Sequence, residues 1–148
     1  MNIMETKMQT NTNEEGEKET MFEKIASENF KMWAESLLTK DPKKVAEFYS
    51  EGASFLPTVS GEFKHGKLEA EGYFHHFLEK NPEGRIVEET IQELGENSYL
   101  HSGMYNFNLD DKNGERTTVE ARFTFVWQKD VNGEWKIIHH HSSVRPQA

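Results

Sequence analysis

The chain has 148 residues, 34% of them hydrophobic and 29% charged, so one globular domain is expected and two full domains are excluded unless both are unusually small. The absence of cysteine removes disulfides, thiolate zinc sites and thiol nucleophiles. Seventeen basic against 26 acidic residues leave a formal charge of −9, which a phosphate backbone would meet with repulsion, so nucleic acid is not an expected partner.

No apolar run approaches the roughly 20 residues that span a bilayer, and Met1 to Thr20 lacks the basic start and apolar stretch of a secretory signal. The expectation is a soluble, cytoplasmic protein with no membrane partner. A core of this size removes roughly two thirds of the unfolded chain's surface from water, so the fold needs no cofactor or metal to hold it.

Residues 1–19 are polar, with nothing regularly spaced to bury, and read as a mobile tail without a function. A single domain is expected over residues 20–146. From Thr20 the residues Phe22, Ile25, Ala26, Phe30, Trp33 and Leu37 recur at helical spacing, and Thr20 with Glu23 has the spacing of a capping box. Asp41-Pro42 restarts a short helix to about Tyr49, since aspartate accepts free N–H groups and proline needs none.

Ala53 to Pro57 is a short apolar run, Ser60-Gly61 a turn, and Gly66 opens a third helix bearing Leu68, Tyr73, Phe74, Phe77 and Leu78, stopped by Asn81-Pro82. Beyond Gly84 the period changes to two. Strands are expected near Arg85 to Leu94, Ser98 to Leu109, Thr117 to Lys129 and Glu134 to Ser143, the last three joined at Asn113-Gly114 and Asn132-Gly133, where glycine supplies positive backbone angles. Helices first and strands afterwards is the pattern of an α+β domain, with helices covering one face of a curved sheet.

The most unusual stretch is I-I-H-H-H-S-S-V-R-P, Ile137 to Pro146. Strand alternation puts His139 and His141 on one face, and His140 with Ser142 on the other. An H-x-H pair could hold a metal only with a third ligand, which no spacing here guarantees, so the histidines are read first as packing or interface residues. In A-R-F-T-F-V-W, Phe123, Phe125 and Trp127 look like core, leaving Arg122, Thr124 and Val126 on the opposite face. A guanidinium keeps its charge, so a buried Arg122 needs an anion, and Glu120 on the same face is the candidate partner.

Glu88-Glu89 and Asp110-Asp111 are not persuasive acid/base dyads, because the first pair points to opposite faces and the second sits in a turn. Of His75-His76 on the third helix, one could reach a pocket. Nucleotide-binding, serine-hydrolase and zincin motifs are all missing.

S-F-L-P-T-V-S (Ser54 to Ser60), Y-F-H-H-F-L, A-R-F-T-F-V-W and W-K-I-I-H-H-H-S-S-V-R-P together resemble the bacterial stand-alone relatives of the calcium/calmodulin-dependent protein kinase II association domain, within the nuclear transport factor 2-like superfamily. The resemblance runs from about Met21 to Pro146. It implies a cone: three N-terminal helices packed on a strongly bent antiparallel sheet that encloses a pocket. It also implies self-association without kinase activity, as a homodimer or larger assembly. Carried onto this sequence, the kinase hub's pocket arginines fall on Tyr105, Phe125 and Ser142, so any anion would have to be held by Arg122 or the histidines.

The functional expectation is a non-catalytic, homo-oligomerising domain with a small internal pocket for an organic ligand, using Tyr105, Arg122, His139, His140, His141 and Ser142 at the ligand or the interface. The alternative is a small isomerase-, dehydratase- or cyclase-like enzyme, with His140 or His141 as base and Tyr105 or Arg122 as electrophilic partner. The alternative rests on fold analogy.

Overall fold

The computed structural model describes residues 20–147. The expected tail, residues 1–19, lies outside the described residues. Helix α1 spans Met21–Leu38, and its start follows from Thr20, whose hydroxyl accepts from the Glu23 N–H while the Glu23 carboxylate accepts from the Thr20 N–H. Its apolar stripe buries Ala26, Phe30, Trp33 and Leu37. Asp41 caps α2, Pro42–Ala46, with Pro42 in the first turn. This helix is shorter than expected, because Tyr49 instead begins strand β1, Tyr49–Leu56, with its ring fully buried.

A two-residue strand β2, Lys64–His65, precedes α3, Gly66–Phe77, and no periodicity announces it. Gly66 is required there: its φ is 82°, and a Cβ would stand 2.8 Å from the Glu51 carbonyl oxygen. A 3-10 turn, Leu78–Lys80, leads to β3 (Glu83–Gly95), β4 (Ser98–Asp110), β5 (Arg116–Lys129) and β6 (Trp135–Val144).

The six strands form one open sheet in the order β2-β1-β6-β5-β4-β3. Four of the five pairings are antiparallel, as expected. The fifth is not: β1 runs parallel to β6, with Ser54 opposite His139 and Leu56 opposite His141. No hairpin joins these two strands. The whole of α3 through β5 lies between them, and such a long crossover permits parallel pairing. Register shifts on β1, β3 and β6 mark bulges, which bend strands.

In the two β5 hairpins only the glycines take positive φ, 81° at Gly114 and 80° at Gly133. Asp111 and Asp130 close these loops, each accepting two backbone N–H groups through one carboxylate oxygen. The three helices pack on the inner face, and Trp33 stands among Phe30, Tyr105, Phe125 and His140.

Candidate functional site

Alternation along β6 is the local cause of the site. His140 and Ser142 point into the core, at 2% and 3% exposure, while His139 and His141 point outward. Inside, a continuous polar chain crosses an otherwise aromatic core. The Trp33 indole donates to the Tyr49 hydroxyl at 3.3 Å, and that hydroxyl lies 2.8 Å from His140 Nδ1. On the other side of the ring, His140 Nε2 is 3.1 Å from the Tyr105 hydroxyl, which donates to Ser142 Oγ at 2.6 Å. Ser142 Oγ then meets the Thr58 hydroxyl.

An indole only donates, so Tyr49 accepts from Trp33; with Tyr105 donating to Ser142 and the imidazole neutral, the Tyr49 proton goes to His140 Nδ1. Nε2 therefore carries the imidazole proton and gives it to Tyr105, which is consistent with Tyr105 donating onward to Ser142. In this arrangement His140 is neutral. Burial pushes His140 well below the ordinary histidine value, with His139 and His141 adding to the effect. Burial likewise raises the Tyr105 phenol, against the opposing hydrogen bonds of Ser142 and Thr58. The Phe125 ring stacks on His140 at 4.0 Å between centroids, and Phe55 stacks at 4.9 Å.

The outer face is built of rows in register across β4, β5 and β6: Leu100–Val126–His139, Ser102–Thr124–His141 and Met104–Arg122–Ser143. The first row continues to Ser54 on β1, whose hydroxyl bonds His139 Nδ1 at 2.7 Å. Arg122 is exposed and, among the described residues, reaches only Ser143 Oγ, at 3.4 Å. The expected Glu120 partner is not made, because Glu120 pairs with Arg145 at 3.6 Å instead. Among the described residues His139 and His141 gather no third ligand, and no group of three or more metal-ligating side chains occurs. No helix of the described residues is long and apolar enough to cross a membrane.

Open volume lies at the edges of the sheet. A groove of about 430 Å³ separates α1 from β3, between Phe30, Ala34, Lys31 and Arg85, Ile86, Glu89. A second pair of concavities, about 500 and 270 Å³, flanks the loop after β1. His76 lines the larger of that pair, and both His75 and His76 are exposed. A further buried imidazole, His101 on β4, lies 2.8 Å from the Glu89 carboxylate through Nε2, and burial lowers its proton affinity while Glu89 opposes. Strand pairing sets Glu89 across from Gly103, two residues from His101, so a carboxylate set aside with Glu88 in the sequence acquires an imidazole partner.

The family model for the calcium/calmodulin dependent protein kinase II association domain matches residues 23–146. The chain belongs to this family. A Xanthomonas campestris protein described as such an association domain shares 40% identity, with 85% of this chain and 89% of that one covered and a TM-score of 0.81. A nuclear transport factor 2-like superfamily protein from Salmonella enterica gives 21% identity, coverage of 84% and 92%, and a TM-score of 0.72. The association domain of the C. elegans kinase gives 17% identity, coverage of 81% and 93%, and a TM-score of 0.67. No curated protein matches the chain. The fold is thus the α+β nuclear transport factor 2-like one.

Within this association domain, of the three positions onto which the resemblance carries the hub's arginines, Tyr105 and Phe125 border His140 and Ser142 is reached through the Tyr105 hydroxyl. They supply two hydroxyls and a phenyl ring in place of cations. Arg122, His139 and His141 are held apart on the opposite face. Sequence reasoning missed Tyr49 and Thr58, although Thr58 stands inside the quoted S-F-L-P-T-V-S motif. Their roles depend on β1 lying beside β6, a contact between segments more than 80 residues apart.

Proposed function

We propose that this association domain is a non-catalytic self-associating module that seats a second copy on the outer face of β4, β5 and β6 and takes a small organic ligand at the sheet's rim. The observation that carries the reading is the outer face itself. Leu100, Met104 and Val126 form an apolar surface with Thr124 at its centre, flanked by Arg122 and His141 and, across from Met104 on β3, by Glu88. Arg122 and His141 both point outward, which places their hydrogen-bonding capacity where a partner can use it. A twofold contact would bury this patch against itself.

Sedimentation velocity tests it. The full chain is expected to sediment as a dimer or larger at micromolar concentration, and Thr124→Glu, which buries two like charges across a symmetric contact, is expected to give monomers with an unchanged circular dichroism spectrum. A monomeric wild-type chain contradicts the proposal.

The 3.1 Å contact of His140 with Tyr105 favours a second reading, an isomerase-, dehydratase- or cyclase-like enzyme with His140 as base. Against it, both ring nitrogens are engaged by phenols and aromatic rings cover the imidazole. Exchange of a ketone's α-protons with D2O, catalysed by the wild type and lost in His140→Gln, would establish turnover; no exchange above buffer supports the non-catalytic reading.

A further inference from the structure

The outer face carries opposite charges in a crossed order. Strand register sets Glu88, Met104 and Arg122 side by side on β3, β4 and β5, and in the next row Arg85, Asn106 and Glu120. Thus β3 presents a cation and then an anion where β5 presents an anion and then a cation. All four charged residues are exposed. The charges of a row stand two strand spacings apart, about 10 Å, with Met104 or Asn106 between them. Among the described residues neither Glu88 nor Arg85 enters an ion pair, Arg122 reaches only Ser143, and the Glu120 carboxylate meets only Arg145, at 3.6 Å.

A symmetric contact must lay this pattern on itself, so charge restricts where a twofold axis can run. An axis along β5 would set Arg122 on Arg122 and Glu120 on Glu120, like charge on like. An axis across the strands, between the two rows, pairs Arg85 with Glu88 and Glu120 with Arg122, but it carries Leu100 and Val126 onto Asp110 and Arg116, which face each other farther along β4 and β5. Apolar groups would then cover an ion pair. An axis along β4 meets both demands. Glu88 falls on Arg122 and Arg85 on Glu120, each twice in the dimer. Met104 and Leu100 fall on themselves, and Thr124 and Val126 on the uncharged Thr90 and Gln92. Sheets pack about 10 Å apart, a gap that a glutamate and an arginine span together.

Resting on the self-association half of the proposed function, we infer that the second copy packs with its twofold axis along β4, so that β3 joins the contact and Glu88 of each copy pairs with Arg122 of the other, with Arg85 and Glu120 paired beside them. The crossed charges fix the orientation, while Leu100 and Met104 supply the apolar burial.

The test is sedimentation equilibrium of the full chain with charge reversals, each variant checked by circular dichroism. Glu88→Arg and Arg122→Glu are each expected to weaken the dimer at least about tenfold, because either brings two like-charge contacts into the interface. Glu88→Arg combined with Arg122→Glu restores opposite charges and is expected to return to within about threefold of the wild type. Glu88→Arg combined with Arg85→Glu is expected to stay weak, whereas the axis across the strands predicts recovery there. Where a reversal does not fold, the neutral cycle of Glu88→Gln and Arg122→Gln reads the same coupling as a non-additive loss. Recovery in the Arg85 combination instead of the Arg122 one, single reversals that leave the dimer unchanged, or additive losses in the neutral cycle overturn the inference while self-association stands. A wild-type chain that sediments as a monomer overturns the self-association reading and the inference with it.

Discussion

At the scale of single residues, His140 and His101 are the two histidines that the fold buries in the core. Both are buried and both bind protons less readily than in the unfolded chain. The sign follows directly: below the unfolded value near 6.5 the unfolded chain takes up protons that the folded one refuses, so stability is complete above that pH and falls as pH drops. Each such histidine contributes a slope of up to about 1.4 kcal/mol per pH unit, until its folded-state value is reached. Urea unfolding between pH 7.5 and 5.5 is expected to show this loss, shallower in His140→Phe; stability independent of pH across the window would contradict the assignment. Alternation made it legible in the sequence that His140 and Ser142 share one face, and Tyr105 was named with them, but which face turns inward is decided by the helices that pack on the sheet. The partner of Arg122 was not legible, because the choice between Glu120 and Ser143 depends on where Arg145 falls after β6 ends.

At the scale of elements, the β3–β4 hairpin has a close approach that only glycine allows. A Cβ on Gly103 would sit 2.0 Å from the Glu88 carbonyl oxygen and 2.8 Å from the Glu89 Cα, so the β3 backbone would have to move. Gly103→Ala is therefore expected to destabilise the domain by about 1–3 kcal/mol, the usual cost of overpacking, and to separate Glu89 from His101. Chemical unfolding measures the first and the His101 ring shifts the second; a variant as stable as the wild type with unmoved His101 resonances would refute the close approach. The four long strands and three helices were readable because each carries its own period or cap. The two-residue β2 and the parallel β1–β6 pairing were not, since two residues hold no period and strand direction across a long crossover is settled by tertiary packing rather than by local sequence.

At the scale of the molecule, one open sheet separates two kinds of chemistry. Its inner face carries the hydrogen-bonded chain through His140 and Ser142, and its outer face carries Leu100, Met104, Thr124 and Val126, the surface proposed to seat a second copy. Family membership was readable from four motifs spread over the chain, whereas the proposed use of the sheet as an interface rests on the register that brings those rows together. Methionine methyl groups report on this directly. Met104 lies in the outer-face rows, while Met21 and Met32 on α1 are exposed, at 75% and 48%, and serve as controls. With 13C-methyl methionine and a soluble paramagnetic agent, Met104 is expected to be shielded at high protein concentration and to gain relaxation on dilution or in Thr124→Glu, with Met21 and Met32 relaxed throughout. A Met104 methyl whose relaxation does not change with concentration would contradict self-association through this face.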